Sequence, residues 1–192
     1  MIEPAGEAMS REGKGTAAAG EAGNSRPLRW EDARQRLTRG GWFWLVTVRP
    51  DGAPHAMPVF AVWSESALYV VSKDTARKSR NLEADGRCVV TTDAGDLHLI
   101  VEGTARRVRD DATLRRASAA FEAGYGWPTV VTGDRLDADY GAPTSGGPPY
   151  NVYEIAPTKA FGLPTDGESS TPTRWRFTAA GARRSRDAVG GA

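Results

Sequence analysis

Four cations fall within one short run, Ser72-Lys73-Asp74-Thr75-Ala76-Arg77-Lys78-Ser79-Arg80-Asn81-Leu82. An apolar β-branched stretch leads into it and a helix-forming stretch closes it, so a strand hands over to a helix there. Asp74 is a good N-cap, which places Arg77 and Lys78 in the first helical turns. There the positive end of the helix dipole disfavours cations by roughly a few tenths of a kcal/mol. A bound anion reverses that penalty, because free backbone N–H groups and basic side chains together make a phosphate or carboxylate site. Arg77 and Asn81 stand one turn apart on an ideal helix and can reach the same ligand. The competing reading is a solvated helix face, and Arg80 in particular is expected to point to water.

Other chemistry is sparse. Cys88 is the single cysteine, and His55 and His98 are the only histidines. Neither an internal disulfide nor a metal cluster is expected. His55 is read as a strand residue facing a neighbour or solvent, Trp42, Trp44 and Trp63 as core, and Glu102 is given no chemistry. Lys and Arg total 25 against 24 Asp and Glu, so no global field draws in nucleic acid or an anionic membrane, and any basic site is local. A nucleic-acid partner is not expected, since no basic stripe is interleaved with aromatics. With no secretory h-region and no apolar run near ~20 residues, neither export nor a membrane partner is expected, and the cytoplasm is the expected location.

The elements that must position the basic run read as follows. Residues 1–26 and 178–192 are rich in small and polar residues and are expected to be disordered tails around one domain, residues 27–177. Residues 28–39 form a helix ended by Gly40-Gly41. Residues 42–49, 55–63 and 68–73 make an antiparallel meander turned at Pro50-Asp51-Gly52 and Ser64-Glu65-Ser66. After the basic helix, residues 87–92 and 97–109 form a hairpin, and residues 110–125 a helix capped by Asp110 or Asp111. Residues 126–149 show no periodicity and are expected to form a lid-like loop carrying Trp127 and Tyr140. Residues 150–161 and 173–177 supply the last strands. Strands dominate with helices between them, so the expected fold is mainly β with accessory helices, a small barrel.

This order of elements resembles the pyridoxamine 5′-phosphate oxidase-like superfamily of flavin and deazaflavin oxidoreductases. The matching pieces are Trp44-Leu45-Val46-Thr47-Val48-Arg49-Pro50-Asp51-Gly52, Pro58-Val59-Phe60-Ala61-Val62-Trp63, the basic run, Val101-Glu102-Gly103-Thr104-Ala105, Pro148-Pro149-Tyr150-Asn151-Val152-Tyr153 and Thr173-Arg174-Trp175-Arg176-Phe177. The resemblance implies a six- to seven-stranded antiparallel split β-barrel of the FMN-binding kind, working as a homodimer with cofactors at the interface. It implies that the backbone and side chains of Pro58, Val59, Phe60, Ala61 and Val62 line the ring. Ser72 and Lys73 would reach the phosphate, and Arg77, Lys78 and Asn81 would hold the phosphate or tail. Trp175 either packs the barrel or reaches the partner's cofactor. The Arg-x-His substrate motif of the vitamin B6 oxidases is replaced by Arg174-Trp175-Arg176, so B6 oxidation is not expected. The chain looks closer to the branch that uses coenzyme F420, a deazaflavin with a phosphate and an oligoglutamate tail, because four cations suit a polyanion. FMN is the alternative cofactor, for an oxidase or flavin reductase, and non-catalytic binding of a flavin, deazaflavin or haem is a third reading. The implied reaction is hydride transfer to a small conjugated substrate, with Tyr140, Tyr150 or solvent as the proton donor.

Overall fold

The computed structural model describes residues 4–9, 26–142, 146–165 and 171–178. Its strands are β1 (Gly6–Ala8), β2 (Phe43–Val48), β3 (Pro54–Val59), β4 (Ala61–Ser64), β5 (Ala67–Ser72), β6 (Arg87–Asp93), β7 (Leu97–Val108), β8 (Val130–Thr132), β9 (Arg135–Asp137), β10 (Asn151–Pro164) and β11 (Thr173–Arg176). Three helices interrupt them: α1 (Trp30–Thr38), α2 (Arg77–Ala84) and α3 (Asp111–Tyr125). Among the described residues no helix is long and apolar enough to cross a membrane.

The fold is mainly β, with antiparallel ladders throughout the main sheet. β10 explains its shape. It is 14 residues long and pairs along its length with β7, while its other edge divides between two partners. Its first half, Asn151 to Ile155, pairs with β5, and its second half, Lys159 to Gly162, pairs with β11. A register shift between Pro157 and Lys159 marks the division, as a bulge bends a strand and lets it serve two surfaces. From β10 the sheet runs one way through β7, β6 and β2 to β3, and the other way through β5 to β4. The loop of sheet stays open between β3 and β5. Two hydrophobic clusters fill it: one beneath α1, with Trp30, Phe43, Leu45, Trp63 and Trp175, and one beneath α3, with Tyr69, Phe121, Trp127 and Tyr150.

Several expectations are corrected. The main sheet holds nine strands, not six or seven. One extra comes from the split of residues 55–63 into β3 and β4 at Phe60. Another is β1, which lies inside the segment read as a disordered tail and pairs with β11, Gly6 opposite Trp175. Glu7 gives it a polar reason to stay, accepting from Arg174 at 2.6 Å. Residues 1–3, 10–25 and 179–192 of the two expected tails lie outside the described residues, as do residues 143–145 of the expected lid.

Residues 126–149 are not a structureless lid. Val130-Val131-Thr132 and Arg135-Leu136-Asp137 pair as a hairpin whose two-residue turn begins at Gly133, φ +62°. Trp127, Leu136 and Ala142 are buried against α3 and β10, so burial of large apolar groups holds the segment on the body.

Candidate functional site

At the opening of the sheet, a cleft of about 250 Å³ lies between β3 and the start of α2. His55 and Met57 line it from β3; Lys73, Thr75 and Ala76 line it from the connection; Arg77 and Lys78 line it from the helix. Each side is placed by a short chain of local causes. Arg49 N–H donates to the Ala53 carbonyl at 2.9 Å and Gly52, at φ +83°, completes the turn, which fixes β3 against β2 with Thr47 opposite His55. Thr47 is buried on the inner face, so its partner His55 points to the same side, toward α2. The β3 to β4 junction is held by Tyr125. Its hydroxyl accepts from Ala61 N–H at 3.1 Å, and Phe60 stacks on its ring at 4.1 Å.

The helix side is anchored from below. Ser79 Oγ donates to the Lys73 carbonyl at 2.6 Å and lies 2.8 Å from Ser72 Oγ. Asn81 Nδ2 donates to Thr47 Oγ1 at 2.9 Å, so β2 and α2 are fastened directly beneath the cleft.

The N-terminus of α2 is bare. Its N-cap is Ala76, which has no side chain able to accept from the first turn, and the first turn contains no acid. Asp74, expected as the cap, lies two residues too early and accepts instead from Arg135 at 3.2 Å. Arg77 and Lys78 therefore occupy the first two helical positions. Lys78 is only 4% exposed, and burial pushes its ammonium below the ordinary lysine range. Among the described residues, neither it nor Lys73, Arg77 or Arg80 forms an ion pair, although the rest of the surface pairs its charges freely. A buried cation over free N–H groups with no acid is costly unless an anion completes it. His55 adds an orphaned acceptor on the facing strand. Its Nδ1 is buried without a hydrogen-bond partner, and burial together with Arg49, Lys78 and Arg77 holds the imidazole below its ordinary value. It is a neutral acceptor at neutral pH.

The residues named from sequence are thus distributed. Lys73, Arg77 and Lys78 meet at the cleft. Ser72 and Asn81 lie beneath it, fully buried, where they tie elements together; Asn81 does not share the exposed face of Arg77, and its Oδ1 has no partner. Arg80 is exposed, as expected. The side chains of Val59, Ala61 and Val62 are buried in the core, which leaves their backbone as the part that can face a ring; Phe60 is half-buried with one face covered by Tyr125. Pro58 is half-buried on the opposite face of β3, across from the exposed Trp44. Trp44 and Trp42, expected in the core, are 50% and 71% exposed; Trp63 is buried. Trp175 is 0% exposed and packs edge to face on Trp30 at 5.4 Å, so it reaches no cofactor.

The tyrosines are corrected as well. Tyr150 is fully buried, its hydroxyl donates to the Gly146 carbonyl and accepts from Ala142 N–H, and burial raises its pKa. It is a structural post, not a proton donor. Tyr140 is exposed on the 126–149 segment, donates to the Gly126 carbonyl at 3.3 Å, and does not line the cleft. His55 and Met57 escaped sequence reasoning. The signal was their parity with Thr47 and Leu45, which becomes readable once the turn fixes the register.

The pyridoxamine 5′-phosphate oxidase family profile matches residues 30–163. Among solved structures, a conserved hypothetical protein from Mycobacterium tuberculosis is 16% identical, with 76% of this chain and 90% of that chain covered and a TM-score of 0.56. A pyridoxamine 5′-phosphate oxidase-related, FMN-binding protein from Nostoc punctiforme PCC 73102 is 13% identical, covering 78% and 90%, with a TM-score of 0.52. An F420 reductase is 21% identical, covering 66% and 94%, with a TM-score of 0.48. At these identities the likenesses to the Mycobacterium tuberculosis and Nostoc punctiforme proteins show the fold alone. No curated protein matches the sequence.

Proposed function

We propose, on the premise that this chain belongs to the pyridoxamine 5′-phosphate oxidase family, that it is an F420-dependent reductase acting on a small conjugated substrate. The observation that carries the reading is the cleft itself, where three cations meet at a bare helix start and Lys78 is buried without an acid. Lys73, Arg77 and Lys78 supply more positive charge than one phosphate requires, which favours a ligand with further carboxylates. The same site also accepts a single phosphomonoester, so FMN is the second reading.

Bound there, a reduced deazaflavin supplies a hydride to an electron-poor C=C or C=N bond. Lys78 and the first N–H groups of α2 fix the anionic end, and Arg77, exposed at the rim, reaches the acidic tail. His55 would accept a hydrogen bond from a ligand held beside it in the cleft. Neither tyrosine named from sequence can deliver a proton at the cleft, so solvent is the proton source. We further propose a homodimer formed through the outer sheet face, where exposed Trp44 stands over Pro58 and beside Thr91. A lone apolar strip of this kind is covered more readily by a second copy than left in water.

Titration of the purified protein with F420 and with FMN, followed by absorbance and fluorescence, tests the cofactor. Tight F420 binding with FMN ignored supports the first reading, and the reverse establishes the second. Reoxidation of reduced F420 by a panel of enones and quinones separates an enzyme from a cofactor or haem carrier, for which no substrate would accelerate reoxidation.

A further inference from the structure

The basic run at the cleft contains a single acid, Asp74. Lys73, Thr75, Ala76, Arg77 and Lys78 all line the cleft, and Asp74, in their midst, does not. Electrostatics within the run would place it otherwise. A carboxylate beside three cations and the unfilled N–H groups of a helix start is drawn toward all of them, and aspartate is among the best acceptors for such groups. The backbone is settled there by Ala76 N–H donating to the Lys73 carbonyl at 3.1 Å, which leaves the Asp74 side chain to choose its own partner. That partner comes from a distant element. Arg135 Nη2 donates to Asp74 Oδ2 at 3.2 Å, and among the described residues Asp74 makes no other ion pair.

Arg135 reaches Asp74 from a fixed base. Its neighbour Leu136 is fully buried and exchanges backbone hydrogen bonds with Tyr150, at 3.0 and 2.8 Å. On its other side Asp134 accepts from Arg107 and Arg109 at 2.9 and 2.8 Å, and lies 3.8 Å from Arg135 Nε. The β8–β9 hairpin is thus fastened to β7 and to the start of β10, and little beyond its own rotamer freedom is lost when Arg135 extends. We propose that Arg135 is a positioning residue for the anion cleft: it holds Asp74 outside, and without it the carboxylate turns onto the start of α2 and takes the place of the ligand's anion. An exposed ion pair of this kind adds little to stability. Its effect is to choose between two positions of one carboxylate, and that choice sets how much positive charge the cleft offers. The inference rests on the proposed reading of the cleft as an anion site.

Titration of the full-length protein with inorganic phosphate, followed by the amide resonances of Arg77 and Lys78, tests it. Arg135→Gln should weaken phosphate binding by about threefold to tenfold. Adding Asp74→Asn to that variant should restore binding to within about twofold of the wild type, because the internal competitor is gone. Arg135→Lys keeps a cation on Asp74 and should bind phosphate as the wild type does. Arg109→Gln removes the same charge from the same cluster without touching Asp74, and should also bind normally. Before phosphate is added, the Arg77 and Lys78 amides of Arg135→Gln should lie downfield of their wild-type positions, and return in the double variant. Undiminished phosphate binding by Arg135→Gln overturns the inference and leaves the anion site standing. So does a loss that Asp74→Asn fails to rescue, or one that Arg109→Gln matches, since the cause is then the general field of the cluster. If the wild type binds no phosphate, the proposed function loses its site, and the phosphate-free amide shifts alone decide whether Arg135 holds Asp74 out.

Discussion

Lys78 sits where the demands of stability and binding oppose each other. Its side chain is 4% exposed at a helix start with no acid beside it, so the ligand-free protein carries a poorly compensated charge. Lys78→Met keeps the length and apolar contacts of the side chain and removes the charge. It should stabilise the ligand-free protein by about 1–4 kcal/mol in denaturant unfolding. The same variant should weaken phosphate and cofactor binding by about 1.5–3 kcal/mol, the cost of losing a hydrogen bond to a charged group. The sign of the pH dependence follows from the downward shift. Between the folded value and the ordinary lysine value the unfolded chain binds more protons, so the wild type gains stability as pH rises through that window. The advantage of Lys78→Met is accordingly expected to shrink as pH rises toward the ordinary lysine value. An advantage that stays constant across that range would mean that the lysine is not penalised by burial. His55 offers a check from the other side of the cleft. His55→Phe removes the orphaned acceptor, so it should lower cofactor affinity about tenfold yet leave inorganic phosphate bound as before.

The bare start of α2 makes the same point for an element. Ala76 adopts the extended N-cap conformation, φ −72° and ψ 144°, which a serine or aspartate also adopts. Ala76→Ser should raise stability by about 1 kcal/mol by capping the first turn, whereas Ala76→Asp should gain a similar amount and repel the anion. Thermal unfolding and phosphate titration of the two variants separate capping from charge; equal phosphate affinity in both would place the anion away from the helix start. Much of this element was legible in sequence, because Ser72 does end a strand and Arg77 does open a helix. The exact cap was not. Asp74 is drawn off by Arg135, a residue 61 positions away, and no local pattern announces that pair. Trp175 fails for a related reason: its burial depends on Trp30 and on β1, both distant in the chain. The hairpin within residues 126–149 is different. Val130-Val131-Thr132 followed by Gly133-Asp134 carries a strand and turn signal, but it is only three residues long and stands among Gly and Pro that read as loop.

For the whole molecule, the outer sheet face is where the proposed homodimer can be tested. β2 alternates strictly, with Phe43, Leu45 and Thr47 buried and Trp44 exposed on the other side, opposite Pro58 on β3 and Thr91 on β6. Val46, Val48 and Val89 share that face and are half-buried, so a continuous apolar surface surrounds the tryptophan. Trp44→Lys changes this surface without touching the core or the cation cleft. It should leave unfolding stability within about 0.5 kcal/mol, as for an exposed position, while converting a dimer to a monomer in sedimentation equilibrium. If the cofactor lies between two copies, the same substitution should also weaken F420 or FMN binding, although phosphate binding at Lys78 is retained. A wild-type protein that sediments as a monomer at tens of micromolar would remove the homodimer. A dimer that survives Trp44→Lys would move the interface to another face. Loss of the dimer with cofactor affinity unchanged would show each cleft to be complete within one chain, and the cofactor would then depend on the β3 and α2 sides of a single cleft.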